Sequence, residues 1–166
     1  MEGELREMAE EITLQVVKLS QWNALLVESL RSLGWTDEEI IENIKSGVNL
    51  PKDGGAFRFN YEELLLLAEQ EPAIFESAVL EGYQIKYNTV RGIRSWIRVA
   101  FGYEPKLVQE AGKEAVLTEM STIQLKRLQE VLSFGWRIVP LDEPKIGDGI
   151  FGSYRIEPVD GMPGPP

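Results

Sequence analysis

The spacing of apolar residues across residues 4–33 is the feature that most constrains the fold of this chain. Apolar side chains recur every seven residues, at Leu5, Ile12, Leu19, Leu26 and Leu33. Three of these are followed four residues later by a further apolar residue, at Ala9, Val16 and Leu30. No proline interrupts the stretch, and Gly34 supplies a stop just after it. This heptad pattern predicts one amphipathic helix of about 28 residues.

The apolar seam of such a helix has two uses. It can bury itself against the rest of the same domain, as in any helical bundle. It can instead pair with a second copy of the chain or with a helix of a partner protein. The five residues of the seven-residue repeat are therefore also the candidate residues of an oligomer interface, and a homodimer is one expectation.

Capping and turn signals after residue 34 predict further helices and a few short strands. Thr36, Asn60 and Ser121 are N-cap candidates, and Pro72 suits the first turn of another helix. Residues 83–87 and 136–139 alternate as short strands do and can pair with each other. The predicted fold is mainly α, or α+β with helix dominant, with five or six helices including the long N-terminal one.

The composition changes near residue 140. Residues 140–166 contain six of the nine prolines and five of the fifteen glycines, and the final residues cannot form regular hydrogen-bonded structure. Residues 150–156 have enough apolar and aromatic character to pack on the domain or to add an edge strand. We expect one compact, mostly helical domain over residues 1–140 and a Pro/Gly-rich tail over residues 141–166.

The chain contains neither histidine nor cysteine, which removes most catalytic and metal chemistry. Disulfides, thiolate nucleophiles, Ser-His-Asp arrangements and the commonest metal ligands are excluded. The glycine clusters at 54–55 and 147–149 match no phosphate-binding motif. Asp142, Glu143 and Asp148 do not follow the spacing of a calcium loop. We therefore expect no cofactor, no metal and a non-enzymatic protein.

Two patterns that the sequence lacks bear on where the protein is located. No apolar run approaches the roughly 18 residues that a membrane span needs. The first residues are acidic and lack the positive start and apolar core of a signal peptide. The expectation is a soluble cytoplasmic protein with no membrane partner.

Positive charge is concentrated in residues 84–106 of an otherwise acidic chain. Five cations against one carboxylate give this segment a charge of +4, which leaves −14 for the rest of a chain whose net charge is −10. On a helix that starts near residue 89, the three arginines of the segment fall within an arc of about 60°. With the two residues before the helix they form what we call the arginine edge: Lys86, Tyr87, Arg91, Arg94 and Arg98.

Two interpretations of the arginine edge remain open at this point. Guanidinium groups bind carboxylates and phosphates in a two-pronged geometry, so the edge is a candidate anion- or partner-binding site. Alternatively, the arginines pair inside the protein with acids of the preceding helices, at Glu62, Glu63, Glu76 or Glu81.

The leading functional hypothesis is a regulatory or interaction protein that binds another macromolecule, with a protein as the favoured partner. A second hypothesis is a nucleic-acid or nucleotide binder that works through the arginine edge. A third is an acidic inhibitor that mimics nucleic acid. A small enzyme that uses carboxylates or lysine is the fourth.

Overall fold

The computed structural model describes residues 16–48, 50–51, 59–142 and 151–159. Helix accounts for 49% of these residues and strand for 23%, so the predicted helix-dominant α+β class is confirmed. The described helices are α1 (Gln21–Ser32), α2 (Asp37–Ser46), α3 (Glu62–Gln70), α4 (Pro72–Glu81), α5 (Val90–Phe101) and α6 (Thr122–Val131). The described strands are β1 (Val17–Leu19), β2 (Tyr83–Ile85), β3 (Lys106–Val108), β4 (Ala115–Ser121), β5 (Trp136–Pro140) and β6 (Phe151–Pro158).

The single long N-terminal helix is a wrong prediction over the residues that the structure describes. Strand β1 pairs in parallel with β2, and α1 begins only at Gln21. Ser20 sets this start because its backbone is extended and its side chain accepts a hydrogen bond from the Asn23 N–H. The heptad spacing is therefore shared between a strand and a helix. Residues 4–15, with Leu5 and Ile12, lie outside the described residues.

The described members of the heptad seam have different environments. Leu19 and Leu26 are fully buried in the core of the domain, whereas Leu33 is 41% exposed. The buried pair therefore stabilises the domain itself. Self-association through the whole set stays a prediction.

Helix α1 runs through the centre of the domain and packs against α2, α3 and α5. All seven of its residues from 24 to 30 are buried. A helix surrounded in this way is expected to be apolar on every side, yet this one carries Glu28 and Ser29. Buried polar groups need hydrogen-bond partners. Ser29 Oγ donates to the Leu26 carbonyl and lies 2.8 Å from the Tyr61 hydroxyl.

The second half of the chain forms a four-stranded antiparallel sheet in the order β3-β4-β6-β5. The predicted pairing of residues 136–139 with 83–87 is wrong, because β5 pairs with β6. Strand β6 lies in the interior of the sheet and not at its edge. It places Ile156 opposite both Val116 and Ile138 on the core side.

Candidate partner-binding surface

Helix α5, which carries the three arginines, is capped at both ends. Thr89 is its N-cap and accepts a hydrogen bond from the Gly92 N–H at 3.0 Å. Gln21 of α1 adds a second cap, since its Oε1 accepts from the Thr89 N–H at 3.0 Å. A Cβ at position 92 would lie 1.9 Å from this Gln21 side chain, so glycine permits the contact. Gly102 ends the helix in the left-handed region, with φ of 84°.

The side of α5 opposite to the arginines faces the core. Ile93, Trp96 and Ile97 are fully buried there. Trp96 Nε1 donates a 2.7 Å hydrogen bond to the Tyr83 hydroxyl, which fixes the rotation of the helix about its axis. Arg91 is therefore exposed, while Arg94 and Arg98 are half-buried along their stems.

The two residues that precede α5 complete the arginine edge at the surface. Lys86 and Tyr87 are exposed, and 67% of Tyr87 is accessible. The next residue, Asn88, is buried and holds the turn in place. Its Oδ1 accepts from the Ser133 N–H at 2.7 Å, and Ser133 Oγ accepts from the Asn88 N–H at 3.1 Å. All five predicted residues thus lie on one continuous stretch of chain with a fixed geometry.

Two of the acids proposed as internal partners of these arginines have other neighbours. Glu76 pairs with Lys45 Nζ at 2.8 Å, and Glu81 is 3.4 Å from Ser77 Oγ. Within the described ranges, no carboxylate lies at ion-pair distance from Arg91.

Arg94 and Arg98 differ in their surroundings. Arg94 also has no carboxylate at ion-pair distance within the described part of the chain, and its buried Nε lacks a hydrogen-bond acceptor there. Arg98 Nη1 lies 3.8 Å from Glu104 Oε1, with the two side chains 41% and 60% exposed. An exposed ion pair of this length contributes under about 1 kcal/mol. The charges of Arg91 and Arg94 are therefore available to a ligand.

A groove of about 520 Å³ lies at the end of α5 where Glu104 meets Arg98. Its walls come from the segment after α5 and from the β4–β6 part of the sheet. Leu117, Leu141 and Phe151 supply apolar surface, and Phe151 is 50% exposed. Glu104, the ion-pair partner of Arg98, lines this groove, so the groove begins next to the C-terminal end of the arginine edge.

A buried charge cluster around Glu28 was not found from the sequence. The carboxylate is 1% exposed and accepts hydrogen bonds at 2.7 Å from Arg127 Nη2 and from the Tyr83 hydroxyl. Arg31 Nη1 adds a third donor at 3.0 Å. Arg127 also lies over the Trp96 ring, 5.4 Å from its centroid. The only local signal is the i,i+3 spacing of Glu28 and Arg31, which is common on exposed helices.

This cluster joins α1, α6, β2 and α5 and has no free capacity for chemistry. Burial alone would lower the pKa of Arg127, but the Glu28 charge and hydrogen bond more than offset it, so that pKa is raised. Both Glu28 oxygens already accept hydrogen bonds from the protein. A general base needs a free acceptor atom within reach of substrate. The cluster therefore serves to hold these four elements together.

The buried tyrosines predict a loss of stability at alkaline pH. Burial, followed by the nearby Glu28 charge, raises the pKa of Tyr83 well above its ordinary value of 10.0, and burial also raises the pKa of Tyr61 and Tyr103. The folded state keeps these protons where the unfolded chain releases them. Their contribution is therefore complete below pH 10 and is lost as pH rises further. Urea midpoints should fall as pH rises from about 10 to 11.5, and less steeply for Tyr83→Phe. Equal slopes for the two proteins would contradict the assignment to Tyr83.

Comparison with models of known protein families, with curated protein sequences and with solved structures gives no match. No described helix has the length and apolar character needed to cross a membrane. Within the described ranges, no cluster of three acidic side chains is placed to hold a metal ion. The chemistry of the surface itself therefore has to indicate its partner.

Proposed function

We propose that this chain is a non-enzymatic interaction protein that binds an acidic segment of another protein through the arginine edge. One observation supports the proposal above the others. Arg91 and Arg94 have no carboxylate at ion-pair distance within the described part of a chain that contains 27 acids and 17 lysines and arginines. Arginines in such a chain would readily find internal partners if neutralisation were their role.

The size of the edge favours a short acidic segment over nucleic acid. Arg91 and Arg98 are seven residues apart, so the arginines span about 10 Å along the helix axis. This is close to the Debye length of about 8 Å at physiological salt. A polyanion longer than the edge would extend over a protein whose remaining charge is −14 and would be repelled there. A segment with a few carboxylates avoids that cost.

The groove at the end of α5 indicates that such a partner carries apolar residues next to its carboxylates. Leu117, Leu141 and Phe151 would accept apolar side chains next to Glu104, the ion-pair partner of Arg98. Apolar contact adds affinity that exposed ion pairs alone do not supply. The partner we expect is therefore an amphipathic segment with carboxylates on one part and apolar residues on the adjoining part.

Replacing the three arginines by glutamine tests the proposal, because glutamine keeps helix propensity and removes the charge. A labelled 12-residue peptide of glutamate and leucine serves as the probe, with fluorescence anisotropy as the measurement. We expect the variant to bind at least about fivefold more weakly, since the ligand loses its pairs with Arg91 and Arg94, which are worth about 0.5 kcal/mol each. Binding by the native protein should also weaken as salt rises from about 50 to about 300 mM.

A matched control removes the same charge elsewhere. Lys18, Lys113 and Lys126 are exposed and lie outside the edge, so their change to glutamine should alter binding much less. Equal losses of peptide affinity in the two triple variants would contradict a binding site confined to the arginine edge. A lowered melting temperature of the arginine variant, without loss of binding, would favour internal pairing. Tighter binding of a 12-nucleotide single strand than of the peptide would favour the nucleic-acid hypothesis.

A further inference from the structure

We propose that a second groove, at the start of α5, binds an apolar side chain of the acidic partner segment. We call it the Phe134 groove. The inference rests on the proposed function and specifies its ligand further. The carboxylates of the segment lie between two apolar anchors, one for the Phe134 groove and one for the groove beside Glu104.

The Phe134 groove has a volume of about 420 Å³ and lies between β2, the end of α6 and β5. Its apolar walls are Leu132, Trp136, Ile138 and Val159. Phe134 also lines it and is 90% exposed. Ligand-binding grooves commonly have volumes of about 300–1,000 Å³, so this one has room for an apolar side chain.

One side of the Phe134 groove leads to the first cation of the arginine edge. Gln84 of β2 lines the groove and donates from Nε2 to the Leu132 carbonyl at 3.0 Å. Lys86 follows two positions later, and its N–H donates to the Leu19 carbonyl at 2.8 Å, so the extended ladder continues to this residue. Residues two positions apart on an extended chain share a face. The Lys86 side chain therefore lies on the same face as Gln84, next to the groove.

Two exposed aromatic side chains are fixed at this corner by their neighbours. The reciprocal hydrogen bonds between Asn88 and Ser133 place the adjoining residues, Tyr87 and Phe134, one position away from the same contact. Gly135 follows with φ of 100°, a conformation that favours glycine and sets the turn. Single exposed apolar residues are common, but two aromatics beside an apolar groove are typical of an interface. Because the backbone here is held in place, little ordering is needed when a ligand binds.

Charge complementarity identifies the occupant as an acidic segment. The described residues that line the Phe134 groove include no charged side chain, whereas Glu104, Glu119 and Lys106 line the other groove. Within the described ranges, no carboxylate lies at ion-pair distance from Lys86 or Arg91. Arg91 also lies in the first turn of α5, where the helix dipole favours an anion. An apolar side chain in the Phe134 groove can thus be followed by carboxylates that meet cations and no like charge.

The first experiment compares two labelled 12-residue peptides by fluorescence anisotropy. Both have glutamates at the centre, and one has phenylalanine at both ends where the other has serine. Phe134→Ser should weaken binding of the phenylalanine peptide at least about fivefold and leave the serine peptide unchanged, since only the former places an apolar side chain in the groove. Phe134 is 90% exposed, so its replacement should leave the melting temperature unchanged.

Ile123→Ser is the matched control, because Ile123 is 71% exposed and lines neither groove. It should leave binding of both peptides unchanged. Equal affinities of Phe134→Ser and the native protein for the phenylalanine peptide would overturn the inference, while weaker binding by the arginine-to-glutamine variant would leave the proposed function standing. Tighter binding by Phe134→Ser would show that another part of this chain or a second copy already covers the groove, which would also overturn the inference. No binding of either peptide by the native protein would contradict the proposed function itself.

The second experiment uses the native protein and two further peptides. A photoreactive benzophenone side chain replaces phenylalanine at one end of the peptide or at the other. For one of the two peptides, crosslinks mapped by mass spectrometry should fall within residues 129–138, around the Phe134 groove. For the other they should fall within residues 103–106 or 151–154, at the groove beside Glu104. Crosslinks of both peptides that avoid residues 129–138 would overturn the inference.

Discussion

Replacing Glu28 by glutamine is expected to lower the free energy of unfolding by about 3 kcal/mol, the range found when one partner of a buried ion pair is removed. The carboxylate is 1% exposed and holds two arginines and a tyrosine hydroxyl. Glutamine has nearly the same volume, so packing changes little. The loss comes from Arg127, whose charge would remain half-buried without its counterion. Urea denaturation followed by tryptophan fluorescence measures the change.

The same change at an exposed acid gives the matched control. Glu69→Gln on α3 should shift the free energy of unfolding by less than about 0.5 kcal/mol. Combining Glu28→Gln with Arg127→Met should cost less than the sum of the single changes, because the second removes the charge that the first leaves unpaired. Additive effects would show that the two side chains do not depend on each other.

Local signals in the sequence identified much of the helical structure. Thr36, an N-cap candidate from the sequence, caps α2 and forms a capping box with reciprocal hydrogen bonds to Glu39. The capping box at Ser121 and Gln124 is present in the same way. Such signals succeed because the cap and its partner are three residues apart and need no help from the rest of the fold.

Pairings between distant segments decided what the local signals left open. A period of seven predicted helix through residues 17–19, yet the backbone of these residues hydrogen-bonds to β2, more than sixty positions away. Strand β5 pairs with β6 and not with β2 for the same reason. Strand formation depends on a partner that the local pattern does not reveal, whereas helical hydrogen bonds are local.

The candidate site likewise has features that follow from local geometry and features that depend on distant segments. The shared edge of the three arginines follows from helix geometry and could be predicted. Whether carboxylates lie close to these arginines depends on how α4 and α5 are placed relative to each other, which the sequence alone does not reveal. The Glu28 cluster was missed because its partners, Tyr83 and Arg127, are 55 and 99 residues away in sequence. Only the fold reveals that a glutamate followed three residues later by an arginine is buried.

Replacing Ile156 by alanine is expected to lower the free energy of unfolding by about 3 kcal/mol, within the range for buried isoleucine. The sequence predicted a Pro/Gly-rich tail after residue 140 that packs on the domain around residues 150–156. In the structure Ile156 is fully buried and faces Val116 and Ile138 on two neighbouring strands. The cavity would therefore weaken contacts of β6 with both β4 and β5.

Phe151 on the same strand provides the control for this prediction, because it is 50% exposed. Phe151→Ala should change the free energy of unfolding by under about 1 kcal/mol, since a half-exposed side chain leaves no closed cavity when it is removed. Both variants are measured by urea denaturation under identical conditions. If residues 151–158 were only a loosely attached tail, Ile156→Ala would cost no more than Phe151→Ala. A clearly larger loss in the free energy of unfolding for Ile156→Ala would instead mean that the sheet depends on this strand for its stability. Strand β5 has β6 as its one neighbour within the described sheet.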